Sequence, residues 1–414
     1  MDPLSKIKRS FRAGGFPLVW KKAVKKIKTY YLWHFAREMP ADELSYFAHP
    51  LPNGLPRVEV EVKEFKPTEE DVALAARLLT AVHKALRDEA QYLKSDMDLW
   101  DVIRQDYQQD FFGILRSGDP RRTAEYLCNM HRHGLTQGIS GGMLSNDRSV
   151  VSSAQARRRK GALVKDILVS FAEATGALPN GVSSAKAEGW DIYDDADALV
   201  QSIEKKLGVS VSPPDIDGGL TKLKLKEGSF DERDMWSLYA AWRISCLVPR
   251  GARIAEIGAG TGKAALYANR FGFPDYAIFD LPLLNLVQGW YLIKGLPGKK
   301  VVLYGESGGP EDSIKILPYW EFTESKSTYD LVLNADSFPE ISREVVEDYL
   351  RKIKACASYF LSINQEHGLP LIEGTDKRHL VVPEVIEKIG GFELAYRQPF
   401  LLRKNYFEEF YKVL

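Results

Sequence analysis

Between Arg253 and Pro282 the chain reads RIAEIGAGTGKAALYANRFGFPDYAIFDLP, where Gly258, Gly260 and Gly262 follow an apolar run and lead into a helical pattern. Glycines between a strand and a helix let the backbone approach a ligand and turn its amides toward it. Glu256 leads the glycines, and Asp280 lies 20 residues past Gly260 at the end of the next expected strand. An acidic group there accepts both ribose hydroxyls of an adenosyl ligand. A dinucleotide fingerprint would place its last glycine at 263, and that position is Lys263. These residues predict a site that holds a nucleoside-bearing molecule against bare backbone, with Leu281 following the acidic group.

Short apolar strands alternating with helices must position that site. Strands are predicted over Arg253 to Ile257, Tyr276 to Phe279, Lys300 to Tyr304, Tyr329 to Asn334 and Tyr359 to Asn364. Such alternation gives an α/β, mostly parallel, doubly wound sheet with crossover helices. Phe392 to Pro399 and Tyr406 to Lys412 read as late edge strands. Upstream the pattern is mainly helical. VEVEV alternates as a short strand, and Thr68 with Asp71 forms a capping box opening a helix to about Leu93. A second helix is expected from near Ser95 to Ser117, stopped by Gly118, and a third from Asp119-Pro120 to near Met130–Gly134. Helical patterns resume at Leu163 to Glu173 and Asp194 to Leu207. Ser145 to Lys160, SNDRSVVSSAQARRRK, reads as a mobile polar loop. GVSVSPPDIDGG, over Gly208 to Gly219, marks the expected boundary. The division is a basic segment over 1–40, a helical accessory and acceptor-recognition domain over 41–225, and a sheet domain over 226–414.

Lys plus Arg and Asp plus Glu both number 56, which argues against a dedicated nucleic-acid binder. The balance hides an asymmetry. Met1 to Glu38 holds ten Lys and Arg against Asp2 and Glu38, and Trp20, Val24, Ile27 and Tyr31 fall on one face of an expected helix over Pro17 to Phe35. Residues 6–37 are therefore expected to touch an anionic membrane surface or to pack on the accessory domain with their lysines in water. Cys128, Cys246 and Cys356 stand far apart without metal-ligand spacing. Without a signal-peptide pattern or a run of ~20 apolar residues, a cytoplasmic location, peripheral at the inner membrane face, is expected. The oligomeric state is unspecified.

The E-x-G-x-G-x-G spacing resembles the first motif of class I S-adenosylmethionine (SAM)-dependent methyltransferases, and FDLP resembles their second motif in small-molecule O-methyltransferases. YAIFDLPLLNLVQGWYL, DLVLNADSFPEI and YFLSINQEH resemble successive blocks of a family of sugar O-methyltransferases associated with bacterial polysaccharide synthesis. Ile341 stands where that block has Met. The likeness covers roughly the last 180 residues, with DLW and NMHRHG as looser matches upstream. It implies a SAM cofactor, a Rossmann-like SAM domain, a sugar or glycan acceptor, and methyl transfer to a sugar hydroxyl.

Such transfer is an in-line displacement at carbon, so alignment dominates and a base removes the hydroxyl proton. Ligands of a doubly wound sheet meet at the strands' carboxyl ends, which brings Asn334 to Glu340 and Asn364 to His367 to the reacting methyl. His367 is the leading base, with Asp336 and Glu340 as rival carboxylates and Asn334 among the cofactor contacts. His131, Arg132 and His133 either close over the acceptor or cap their helix. Asp336, Glu340 and Glu366 are the weak candidates for a divalent cation. A catalytically silent SAM-fold scaffold, a methyltransferase of a non-sugar hydroxyl and a nicotinamide-dependent oxidoreductase are the alternatives; Lys263 and Glu256 speak against the last.

Overall fold

The computed structural model describes residues 20, 24, 47–49, 58–92, 99–136, 138–139, 154–178, 196–307, 311–368 and 378–414. Its centre is an eight-stranded sheet ordered β10-β11-β9-β8-β4-β5-β7-β6. The strands are β4 (Ile254–Ile257), β5 (Tyr276–Asp280), β6 (Val301–Leu303), β7 (Ile314–Pro318), β8 (Tyr329–Ala335), β9 (Ala357–Gln365), β10 (Phe392–Pro399) and β11 (Tyr406–Val413). From β6 to β9 every pairing is parallel, and β11 pairs antiparallel with both β9 and β10. The chain leaves β4 toward β5 and later returns to β4's other side as β8. That reversal opens a crevice at the carboxyl ends of β4 and β8. β10 is the expected edge strand, but β11, expected as another edge strand, is flanked by β10 and β9; β7 was not expected from the sequence, because Ile314–Pro318 alternates buried and half-buried residues over only five positions.

Three short strands, β1 (Val60–Val62), β2 (Thr221–Lys224) and β3 (Ser229–Phe230), form a separate antiparallel sheet. The helical elements before it are α1 (Glu69–Glu89), α2 (Leu99–Tyr107), α3 (Gln109–Ser117), α4 (Pro120–Cys128), α5 (Ala154–Ala174) and α6 (Ala196–Leu207). The predicted capping box on α1 is present: Asp71 N donates to the Thr68 hydroxyl at 3.2 Å and Thr68 N to the Asp71 carboxylate at 3.0 Å. The single helix expected up to Ser117 is two, separated at Gln108, whose buried amide donates to Leu135 O at 3.1 Å. The third helix starts at Pro120 behind the Asp119 N-cap, as expected, and gives way to 3-10 turns at Met130–Arg132 and Gly134–Thr136.

The polar-loop reading of Ser145 to Lys160 is corrected for 154–160, which begin the helix α5; the rest lies outside the described residues. Arg159 and Lys160 are buried, and Lys160 pairs with Glu232. A run of arginines read as a loop is in fact a good helix former, with Arg158 left exposed. The predicted N-terminal helix also lies outside the described residues, except that Trp20 and Val24 are helical and exposed.

The helical region and the sheet share one core. Apolar residues of α1, α4, α5 and the sheet's helices belong to the same buried cluster. β1 pairs with β2, so residues near 60 and near 222 lie side by side, and the division at 225/226 falls between the strands β2 and β3. Lys294 of α9 (Pro282–Gly295) reaches Asp71 of α1 at 2.5 Å.

Candidate active site

At the carboxyl ends of β4, β5 and β8 lies a cavity of about 320 Å³, within the range of small-molecule sites. Its floor is the loop from β4 to α8 (Lys263–Arg270). Gly258, Gly260 and Gly262 all have positive φ, at 75°, 56° and 82°, a conformation that disfavours side chains. A Cβ on Gly258 would stand 2.2 Å from Ser337 Oγ, so that glycine is needed for packing. A Cβ on Gly260 would meet only the Ile139 side chain at 3.8 Å, leaving its backbone open to the cavity.

Asp280 ends β5 and is buried. Its carboxylate accepts from Leu281 N at 2.8 Å and from Gln288 Nε2 at 2.7 Å, and the same amide donates to Gly260 O at 3.1 Å. Gln288, on α9, thus ties the acid to the glycine loop. Burial pushes the Asp280 carboxyl up to about 6 against the pull of these bonds. Glu256 accepts from Tyr276 OH at 2.8 Å, and burial raises its carboxyl to about 7 with Asp280 adding to the rise. Two buried acids beside open backbone form an electronegative floor suited to a ligand with positive charge and hydroxyls. Leu281 also lines this end.

Lys263 does not enter the cavity lining. Its buried ammonium meets Asp234 at 2.7 Å, Asp217 at 3.4 Å and Asp231 at 3.5 Å. The residue that broke the dinucleotide pattern anchors the glycine loop to α7 (Glu232–Leu247) and the loop before β2.

The other half of the cavity is walled by parts of the fold far apart in sequence. Helix α7 presents Arg233, Trp236, Ser237 and Ala240 on one face, as i, i+3, i+4 and i+7 spacing requires. Trp100, Asp101 and Arg104 come from α2, and Tyr319, Trp320 and Thr323 from the carboxyl end of β7 and the short helix α10 (Trp320–Glu324). Tyr92 stacks on Trp320 at 4.9 Å. Arg403 and Tyr406 close the wall from the β10 to β11 turn. None of these was expected in a site, although Trp100 belongs to the DLW segment. Each lies in an unremarkable local pattern, and only tertiary packing gathers them.

The predicted site residues separate. Asp336 and Glu340 line the cavity, but Asp336 accepts from Arg403 Nη1 at 2.6 Å, Arg233 Nη1 at 3.3 Å and Tyr406 OH. Burial opposes its ionisation, yet the two arginines hold its carboxyl below the usual value, so it is a poor base. His367 is exposed and outside the lining, edge-on to His379 at 4.9 Å; burial and the Arg403 charge lower its imidazole. Asn334 is likewise outside the lining: its amide donates to Ile257 O at 3.0 Å and Ser337 Oγ at 2.5 Å and accepts from Asn364 at 2.9 Å. These bonds fix the Ser337 loop against the end of β4.

The MHRHG segment, expected either to close over the acceptor or to cap its helix, lies away from the cavity. His131 is buried against Asp217 at 3.3 Å, Arg132 pairs with Glu64, and His133 stacks on Tyr126 at 4.0 Å; none lines the cavity. The proposed cation ligands are engaged elsewhere: Glu366 pairs with Arg397 at 2.7 Å, and Asp336 with its two arginines. Among the described residues no group of three or more His, Cys, Asp or Glu is gathered for a metal ion.

No family model matches the chain, and no curated protein matches it. Among solved structures it is similar to the mitomycin 7-O-methyltransferase MmcR, at 15% identity over 84% of this chain and 97% of that one, with TM-score 0.33. It is also similar to the glycopeptide N-methyltransferase MtfA complexed with S-adenosyl-L-homocysteine, at 14% identity over 43% of this chain and 90% of that one, TM-score 0.33. The CcbJ methyltransferase from Streptomyces caelestis matches at 14% identity over 43% and 89%, TM-score 0.31. TM-scores of 0.31 to 0.33 say nothing about this cavity's ligand. What the strand order and pairing define is the class: a Rossmann-like α/β protein with a doubly wound, mostly parallel sheet and a mainly helical region before it.

Proposed function

We propose that the protein is a SAM-dependent O-methyltransferase whose acceptor is a sugar hydroxyl. The observation that carries the cofactor is the open backbone at Gly260 directly beside the buried carboxylates of Asp280 and Glu256. Asp280 is placed to accept ribose hydroxyls, and the acidic floor offsets the positive charge of an amino group and a sulfonium. When bound, SAM supplies an activated methyl group; the chain's residues bind, align and cover. The aromatic wall of Trp100, Trp236 and Trp320 with interleaved Asp101, Arg104 and Arg233 supports a sugar acceptor, since rings cover the apolar face of a pyranose while charged groups bond its hydroxyls.

Deprotonation of the acceptor falls to Glu340, on the 3-10 turn Phe338–Glu340. Of the other two candidate bases, His367 lies outside the lining and Asp336 is held by two arginines, whereas Glu340 lines the cavity. The charge pattern of residues 6–37 supports a loose membrane attachment, which would bring lipid-linked glycans within reach. Calorimetric titration with SAM, followed by mass spectrometry of glycans from cells with and without the gene, tests the reading. Loss of one methyl increment is the expected result; unchanged glycans with intact SAM binding would reject the sugar acceptor and leave the scaffold alternative.

A further inference from the structure

We infer that the cavity holds an oxyanion subsite, formed by Arg233, Arg403 and Trp236, that selects an acceptor bearing a carboxylate or a phosphate. The inference rests on the reading of the cavity as a methyl-transfer site and names the acceptor's chemical class.

Two guanidinium groups share one carboxylate here. Arg233 and Arg403 each give a single Nη1 hydrogen bond to Asp336, at 3.3 Å and 2.6 Å. The rest of each planar fork has no protein acceptor among the described residues, and Arg233 Nε is buried without a hydrogen-bond partner. Trp236 Nε1, on the ring that both guanidinium groups cover, is a second buried donor without a hydrogen-bond partner. Both guanidinium carbons lie over the Trp236 ring, at 4.9 Å and 4.4 Å from its centroid, and Arg403 also lies 3.8 Å over Tyr406. Stacking on rings and bonding to Asp336 hold two like charges side by side, and the single carboxylate between them leaves one positive charge in excess, which a second anion would offset. A buried unspent donor costs as well. An incoming carboxylate or phosphate would satisfy these donors in the bidentate geometry that a guanidinium favours.

The backbone points the same way. Asp336 has φ of 61°, one of two non-glycine residues with positive φ among those described. Strain of this kind at a cavity wall is kept where it places a side chain for use. The strained aspartate aligns the two arginines, which is its role in place of proton abstraction. Glu340 is the other carboxylate within electrostatic reach of Arg403. It stands where an acceptor hydroxyl would be met when the anionic end is held by the arginines.

The test is calorimetry on the full chain loaded with S-adenosylhomocysteine, titrated with glucuronate, glucose 6-phosphate and glucose. At least one of the two acids should bind about tenfold or more tightly than glucose, and which one does so separates a carboxylate from a phosphate acceptor. Arg233→Gln and Arg403→Gln should each reduce that advantage to threefold or less, while S-adenosylhomocysteine affinity stays within twofold. Asp336→Asn tolerates the positive φ and keeps an acceptor oxygen, so it should move the other way and tighten binding of the acid. Equal binding of the acids and glucose, no binding of either acid at millimolar concentration, or an advantage that survives both arginine variants would overturn the subsite. Failure of S-adenosylhomocysteine to bind would instead refute the methyl-transfer reading, and the comparison of acids in the unloaded protein would still decide the subsite.

Discussion

Asp280→Asn should weaken SAM binding and stabilise the ligand-free protein, a pair of opposite effects that follows from one buried charge. The Asp280 carboxyl sits at about 6 in the folded protein against an ordinary 3.8. The folded state therefore favours the proton: the stability this confers is full below about pH 3.8 and is lost as pH rises through about 6. At about pH 7.5 the ionised group costs about 3 kcal/mol, and the neutral amide removes much of that cost. Binding runs the other way. Loss of a charge-assisted hydrogen bond to the ligand should cost about 1.5 to 3 kcal/mol. In the wild type, only about one carboxyl in ten is ionised at about pH 5, so SAM affinity should fall about tenfold from its value at about pH 7.5. Glu256, raised to about 7, adds its own loss, making tenfold a floor. Calorimetric titration across that range, paired with thermal melting, reads both effects. An Asp280→Asn protein that binds SAM like the wild type, keeps the wild-type pH dependence, or loses stability along with affinity would refute the reasoning.

Gly260→Ala should cost only the strain of its positive φ, about 1 to 2 kcal/mol, and lower SAM affinity more than about tenfold, because its Cβ meets only Ile139 within the protein; Gly258→Ala, pressed on Ser337 as well, should destabilise the fold further. Glu340→Gln should lower turnover about a hundredfold to ten-thousandfold with little change in SAM affinity, as read by a methyl-transfer assay and calorimetry; near-normal turnover would mean that alignment alone drives the reaction. Lys263→Met should destabilise the protein by about 3 to 5 kcal/mol in urea unfolding, since it leaves Asp217, Asp231 and Asp234 short of a cation in the interior. Deleting Met1 to Glu38 should abolish sedimentation with anionic vesicles at low salt, where Lys21, Lys22, Lys25, Lys26 and Lys28 would each contribute about 1 kcal/mol; unchanged partition would make the segment structural.

The glycine-loop end of the cavity was legible in the sequence because each residue there answers a local demand of the backbone. Positive φ at three alternate positions calls for glycine, and an acid at the end of the following strand lies beside them in any parallel pair. The antiparallel edge was legible for a similar reason, from β-rich runs at Phe392 and Tyr406. Asn334 misled because a polar residue at a strand end looks the same whether it faces a ligand or, as here, bridges to Ile257 and Asn364. His131, Arg132 and His133 misled through adjacency: three neighbours in sequence enter a buried ion cluster, a surface pair and an aromatic stack. The opposite wall of the cavity was invisible for the converse reason. Arg233 and Arg403 are 170 positions apart, and nothing in either local pattern announces that Asp336 will draw them together.

The most direct test of the central claim is parallel calorimetric titration of the full chain with SAM and with NADH. The glycine loop, Asp280 and Glu256 predict one SAM per chain, displaced by S-adenosylhomocysteine, and no heat from NADH; binding of NADH, or no binding of SAM at about pH 7.5, would contradict it.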